Sequence, residues 1–143
     1  MKKYPEANAD YTKSINLYCE HKAQLEAIAD FIKVIEIVDP WLVVFYIARG
    51  MVHIHQQNYL KAIADFTKAI EMNYKSKLSD AYTARGLAYY QLKNYFKVIA
   101  DCNNSIKLDP KSQAYSLRAV AHKALGKTKE ANADFAKAKE LEK

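Results

Sequence analysis

The residues that could carry chemistry recur at fixed intervals. Each of the three arginines, Arg49, Arg85 and Arg118, stands sixteen residues before an aspartate: Asp65, Asp101 and Asp134. All the other cationic side chains are lysines. A guanidinium offers two parallel N–H groups to a carboxylate, and an ammonium does not. Residue type and offset therefore suggest a structural Arg–Asp fork, onto these aspartates or onto the Asp of the preceding unit. A ladder of anion contacts is the functional alternative. His53-Ile54-His55 looks like a metal pair, but residues two apart on a helix face different sides. His53 and His122 share the register of Tyr89, which reads as the edge of a core. Cys102 shares the register of Phe66 and Phe135 and is expected to be buried and inert. Cys19 and Cys102 make neither a disulfide framework nor a zinc site. No Ser/His/Asp set, Gly-rich phosphate loop or paired-carboxylate motif stands out. The expectation is of no enzyme, no metal, no cofactor and no small-molecule substrate.

The elements that would position these side chains are copies of one another. Ile28-Ala29-Asp30-Phe31, Ile63-Ala64-Asp65-Phe66, Ile99-Ala100-Asp101-Cys102 and Asn132-Ala133-Asp134-Phe135 are versions of one string. Upstream of three of them lie Tyr46-Ile47-Ala48-Arg49-Gly50, Tyr82-Thr83-Ala84-Arg85-Gly86 and Tyr115-Ser116-Leu117-Arg118-Ala119. A constant offset inside units of slightly variable spacing means rigid units joined by small insertions. Apolar side chains recur with helical spacing from Trp41 to His55 and from Ala81 to Leu92. Short polar turns follow, and second helices run to about Met72 and Leu108, with Asp39-Pro40 and Asp109-Pro110 as stops. Such a hairpin cannot bury its apolar face alone, but stacked copies can. Scarce Gly and Pro and abundant Ala, Lys, Leu and Glu agree with an all-α chain.

These residues resemble the tetratricopeptide repeat family. The likeness rests on Tyr46, Gly50, Tyr59, Ala62, Phe66 and Ala69 in residues 43–76, and on Tyr82, Gly86, Tyr89, Tyr95, Ser105 and Pro110 in residues 79–111. Tyr115, Ala119, Ala131, Phe135 and Ala138 carry it through residues 112–143. It implies a single domain over residues 1–143, a right-handed superhelical solenoid of antiparallel helix pairs. Residues 5–40 would form an atypical first repeat, with Ile15 where a small residue is usual, the alternative being a displaced N-terminal helix that docks on another molecule; residues 112–143 would form a capping repeat. Asn132 and Lys139 there replace the isoleucines of earlier copies, giving a polar outer face. Gly50 and Gly86 are expected to let the second helix approach at Ala62 and Val98. Phe66 and Phe135 are expected to fill the space between units.

The resemblance also implies a concave groove lined by first helices, which holds a peptide or helix of another protein. Its inner positions would be Val44, Ile47, Met51, Ile54 and His55, then Asp80, Thr83, Leu87, Tyr90 and Gln91, then Gln113, Ser116, Leu117, Val120 and Lys123. This is an apolar surface with few charges, suited to a hydrophobic peptide face or partner helix. Family members that grip the C-terminal carboxylate of heat-shock chaperones use a Lys and an Asn on one first helix, an Asn on the next, and a Lys and an Arg on the third. The matching places here hold Ile47 and Met51, Ala84, then Gln113 and Leu117. Starting one repeat earlier gives Thr12 and Asn16, Ala48, then Asp80 and Ala84, a single match. That specificity is disfavoured.

Two other classes remain open at this point. The apolar run Trp41-Leu42-Val43-Val44-Phe45 beside the irregular N-terminal region suggests a homodimer. The net charge of +6, with residues 111–143 at +4 and residues 1–40 at −2, suggests a solvated lysine surface, an acidic partner or RNA. Apolar Leu87 and Val120 argue against base readout. No secretory signal and no run long enough to span a bilayer are visible, so a cytoplasmic protein with no membrane partner is expected.

Overall fold

The computed structural model describes residues 41–143, which form six α-helices: α1 Trp41–His55, α2 Tyr59–Glu71, α3 Lys75–Gln91, α4 Tyr95–Leu108, α5 Ser112–Ala124 and α6 Thr128–Leu141. The expected first repeat, residues 5–40 with Ile15 and the Asp39-Pro40 stop, lies outside the described residues. The helices pack as three consecutive hairpins, α1 with α2, α3 with α4 and α5 with α6. Each second helix also packs on the next first helix, and α3 lies against both α1 and α5. First helices touch each other more than second helices do, so the stack curves with α1, α3 and α5 on its inner side.

The turns inside the hairpins share one construction. Gln57, Lys93 and Gly126 take φ of 60°, 58° and 75°. Each donates its N–H three residues back, to Ile54, Tyr90 and Lys123, and the next residue donates five back, to His53, Tyr89 and His122. This pairing satisfies carbonyls that a helix end otherwise leaves open. The α4 end is different. Asp109 is extended, as the residue before Pro110 must be.

The core runs between units. Val43 of α1, Ala69 of α2 and Ala81 of α3 form one buried cluster. Ala62, Phe66 and Ala88 form a second, and Val98, Cys102 and Ala121 a third. Every cluster joins helices of neighbouring hairpins, so each hairpin depends on the next for burial.

Three expectations need correcting. Helix α3 begins at Lys75, six residues before Ala81, because Leu78 and Ser79 of its polar first turns are buried. A Cβ on Gly50 would meet the Phe66 ring, one turn beyond Ala62. One on Gly86 would meet Leu117, Asp101 and Cys102 rather than Val98. Phe66 does fill the gap to the next unit, but Phe135 is 39% exposed, because among the described residues no helix packs over α6 as α3 packs over α2.

Candidate functional site

Helical register places one stripe of α1, α3 and α5 toward the inner side of the curve. Met51 of α1, Asp80, Thr83, Ala84 and Leu87 of α3, Gln113 and Leu117 of α5, and Lys111 just before α5 line one open cavity of about 590 Å³. Its floor and walls are mainly aliphatic. Lys111 donates to Asp80 Oδ1 at 2.8 Å and lies 3.1 Å from Asp109 Oδ2. These hydrogen bonds raise the Lys111 pKa. The cation at the rim is thus already matched by carboxylates, and a bound acidic group would have to compete with them.

The expected groove residues divide into three groups. Met51, Asp80, Thr83, Leu87, Gln113 and Leu117 share the cavity. Ile47, Ile54 and Tyr90 are half-buried and pack on the core clusters. Val44, His55, Gln91, Ser116, Val120 and Lys123 do not line the cavity; His55, Gln91 and Lys123 are exposed near the C-terminal ends of their helices. Sequence reasoning missed Ala84 and Lys111 as groove residues. Ala84 could have been found from the period, since it lies one residue after Thr83 and three before Leu87. Lys111 lies outside any helix and left no periodic signal.

Thr83 also belongs to a buried hydroxyl cluster. Its Oγ1 is 2.7 Å from Ser105 Oγ and donates to the Ser79 carbonyl at 3.2 Å; Ser79 Oγ is 2.9 Å from Ser105 Oγ. These bonds tie α3 to α4 directly beneath the cavity. They satisfy side chains that would otherwise be costly to bury.

The Arg–Asp pairs lie inside the hairpins. Arg49, Arg85 and Arg118 each donate through Nε and Nη2 to both oxygens of Asp65, Asp101 and Asp134, at 2.6–2.8 Å. Two of them also reach back one unit: Arg85 Nη1 donates to Thr67 Oγ1 and Arg118 Nη1 to Asn103 Oδ1. Each guanidinium lies 5.4–5.7 Å from the ring centre of the tyrosine three residues before it, Tyr46, Tyr82 or Tyr115. The hydrogen bonds to the aspartates raise the pKa of Arg85 and Arg118. The three aspartates are buried and already saturated by the guanidinium forks.

His53 and His122 stand beside the first and last of these pairs, with Nε2 3.7 Å from Asp65 and 3.9 Å from Asp134. Both Nδ1 atoms are buried without a hydrogen-bond partner. Burial is the largest influence on His53 and lowers its pKa from 6.5, against the opposing pull of Asp65. The unfolded chain therefore takes up this proton first. Stability is intact above pH 6.5 and falls as the pH drops below it. His53→Tyr, the residue found in register at Tyr89, should flatten that loss. Melting temperatures of both proteins between about pH 7.5 and about pH 5.5 check this; equal losses would contradict it. Cys102 is fully buried and its thiol is pushed up to about 12 by burial, which leaves it unreactive at neutral pH.

Among the described residues no helix is long and apolar enough to cross a membrane. Comparison with known proteins returns consistent findings. A family model of the tetratricopeptide repeat matches residues 43–76, 79–112 and 112–143. The first tetratricopeptide-repeat domain of Spaghetti (RPAP3), bound to the HSP90 peptide SRMEEVD, is 31% identical, with a TM-score of 0.69 over 73% of this chain and 82% of that one. The second such domain, bound to the same peptide, is 29% identical, with a TM-score of 0.65 over 69% of this chain and 91% of that one. MamA is 26% identical, with a TM-score of 0.71 over 83% of this chain and 67% of that one. A search of curated proteins finds no match.

Proposed function

The chain belongs to the tetratricopeptide-repeat family, and on that footing we propose that it is a protein-interaction scaffold holding an apolar peptide or helix of a partner across α1, α3 and α5. The observation that carries this reading is the cavity itself. It draws on the first helices of three successive units, and Met51, Ala84, Leu87 and Leu117 supply its apolar surface. An amphipathic helix or an extended peptide with aliphatic anchors suits such a surface.

The partner's chemistry differs from that of the Spaghetti domains. Their HSP90 peptide ends in two glutamates, a valine and an aspartate. Here four of the five positions that would bear the carboxylate-gripping side chains are Met51, Ala84, Gln113 and Leu117, and all four line the cavity. The cation among the described lining residues, Lys111, is paired with Asp80 and Asp109. Burying a carboxylate without a free cation is unfavourable. The peptide SRMEEVD should therefore bind more weakly than about 1 mM in a calorimetric titration.

Capture from a lysate tests the groove. Met51→Glu with Leu87→Glu adds two charges on the cavity wall, at side chains that are exposed or half-buried. That double variant should fold as the parent does and lose the partners that the parent retains. Retention of every partner by the folded variant would remove the groove from consideration.

A further inference from the structure

We propose that the edge of the stack bearing the turns within the hairpins docks on an anionic lipid surface. This edge is separate from the groove, and the proposal does not depend on what the groove holds. Two large apolar side chains project from it. Leu60 and Phe96, the second residues of α2 and α4, are 75% and 72% exposed, more than any other large hydrophobic residue described. They occupy the same register, so stacking sets them side by side on neighbouring units. The matching residue of α6 is Lys129.

Among the described residues, the charge around these knobs is mostly positive. Lys61 and Lys97 directly follow Leu60 and Phe96, and Lys93 sits at the apex of its turn with φ of 58°. Lys127 and Lys129 continue the row, beside one acidic residue among those described, Glu130. None of these lysines lies within ion-pair distance of a carboxylate among the described residues; Lys97 lies over the Tyr89 ring instead. The opposite edge is mixed, and there Lys111 is paired with Asp80 and Asp109. A fringe of free lysines around protruding apolar side chains suits an anionic bilayer interface, where ammonium groups meet lipid phosphates and short apolar side chains enter the acyl boundary. Knobs this exposed suit a yielding surface better than a preformed pocket on a protein. Nucleic acid is less suited, because all three arginines are tied to internal aspartates and Leu60 has no ring on which a base could stack. The chain shows no spanning segment among the described residues. An interfacial contact needs none.

Co-sedimentation of the full chain with vesicles tests the proposal. The chain should pellet with phosphatidylcholine–phosphatidylserine vesicles and not with phosphatidylcholine alone. Leu60→Ser with Phe96→Ser should weaken the partition by about tenfold. Leu108→Ser, on the opposite edge, should leave it unchanged. Circular dichroism melts should be equal for all three proteins, since every altered side chain is exposed. No pelleting with the anionic vesicles would overturn the proposal. So would pelleting that the double serine variant leaves intact, which would be charge attraction without insertion. Displacement from the vesicles by single-stranded RNA, with tighter binding to the RNA, would assign the edge to nucleic acid and overturn it as well.

Discussion

Arg85→Ala should destabilise the fold by about 3 kcal/mol, as expected when one partner of a buried ion pair is removed. The substitution strands the Asp101 carboxylate, which is 5% exposed and loses both of its guanidinium bonds. It also cuts the side-chain hydrogen bond from Arg85 back to the preceding unit, at Thr67. Arg85→Lys keeps the charge but loses the fork, so it should fall between alanine and the parent. The double variant Arg85→Ala, Asp101→Ala removes the stranded charge and should be more stable than Arg85→Ala alone. Denaturant unfolding of the four proteins gives the ordering. Arg85 lies away from the cavity, so partner affinity at temperatures where each variant is folded should not change. A loss of binding with unchanged stability would make the arginines anion contacts after all.

The two helical glycines should respond in opposite ways to alanine. At Gly50 a Cβ would stand 2.6 Å from Phe66 Cε1, and that ring is fully buried against Ala62 and Ala88. It has no room to withdraw, so Gly50→Ala should cost about 1–3 kcal/mol through overpacking. At Gly86 the nearest atom is Leu117 Cδ2 at 3.3 Å, the end of a flexible side chain bordering the open cavity. Gly86→Ala should be neutral or stabilising by up to about 1 kcal/mol, the helix preference of alanine over glycine. Thermal melts separate the two. Equal effects would mean that the Gly50–Phe66 approach does not limit the packing.

Much of this was legible because repetition multiplies weak signals. A single Arg sixteen residues before an Asp carries no information; three such pairs at one register suggest a structural fork, and only the folded geometry places it within the hairpin rather than on the preceding unit. The same repetition located the first helices; of the expected inner positions, Met51, Asp80, Thr83, Leu87, Gln113 and Leu117 line the cavity and the others do not. What escaped has identifiable causes. The first turns of α3 are polar, and only burial of Leu78 and Ser79 reveals why the helix starts at Lys75. Gln57 and Lys93 adopt positive φ without the glycine that would signal it, since the backbone bonds of the turn outweigh the strain. Phe135 matches Phe66 in register but differs in surroundings, because the buried environment comes from the following helix rather than from the residue. The curvature of the stack decides which inner residues reach the cavity and which join the core, as Leu87 and Tyr90 illustrate on one helix. That curvature is set by packing between units, which no single window of sequence contains.

Amide hydrogen exchange of the chain with a captured partner segment bears most directly on the central claim, that the first helices form the binding surface. Binding should slow exchange in residues 41–55, 75–91 and 112–124, most of all around Met51, Leu87 and Leu117, and leave the second helices unchanged. Protection confined to residues 59–71, 95–108 and 128–141 would contradict it.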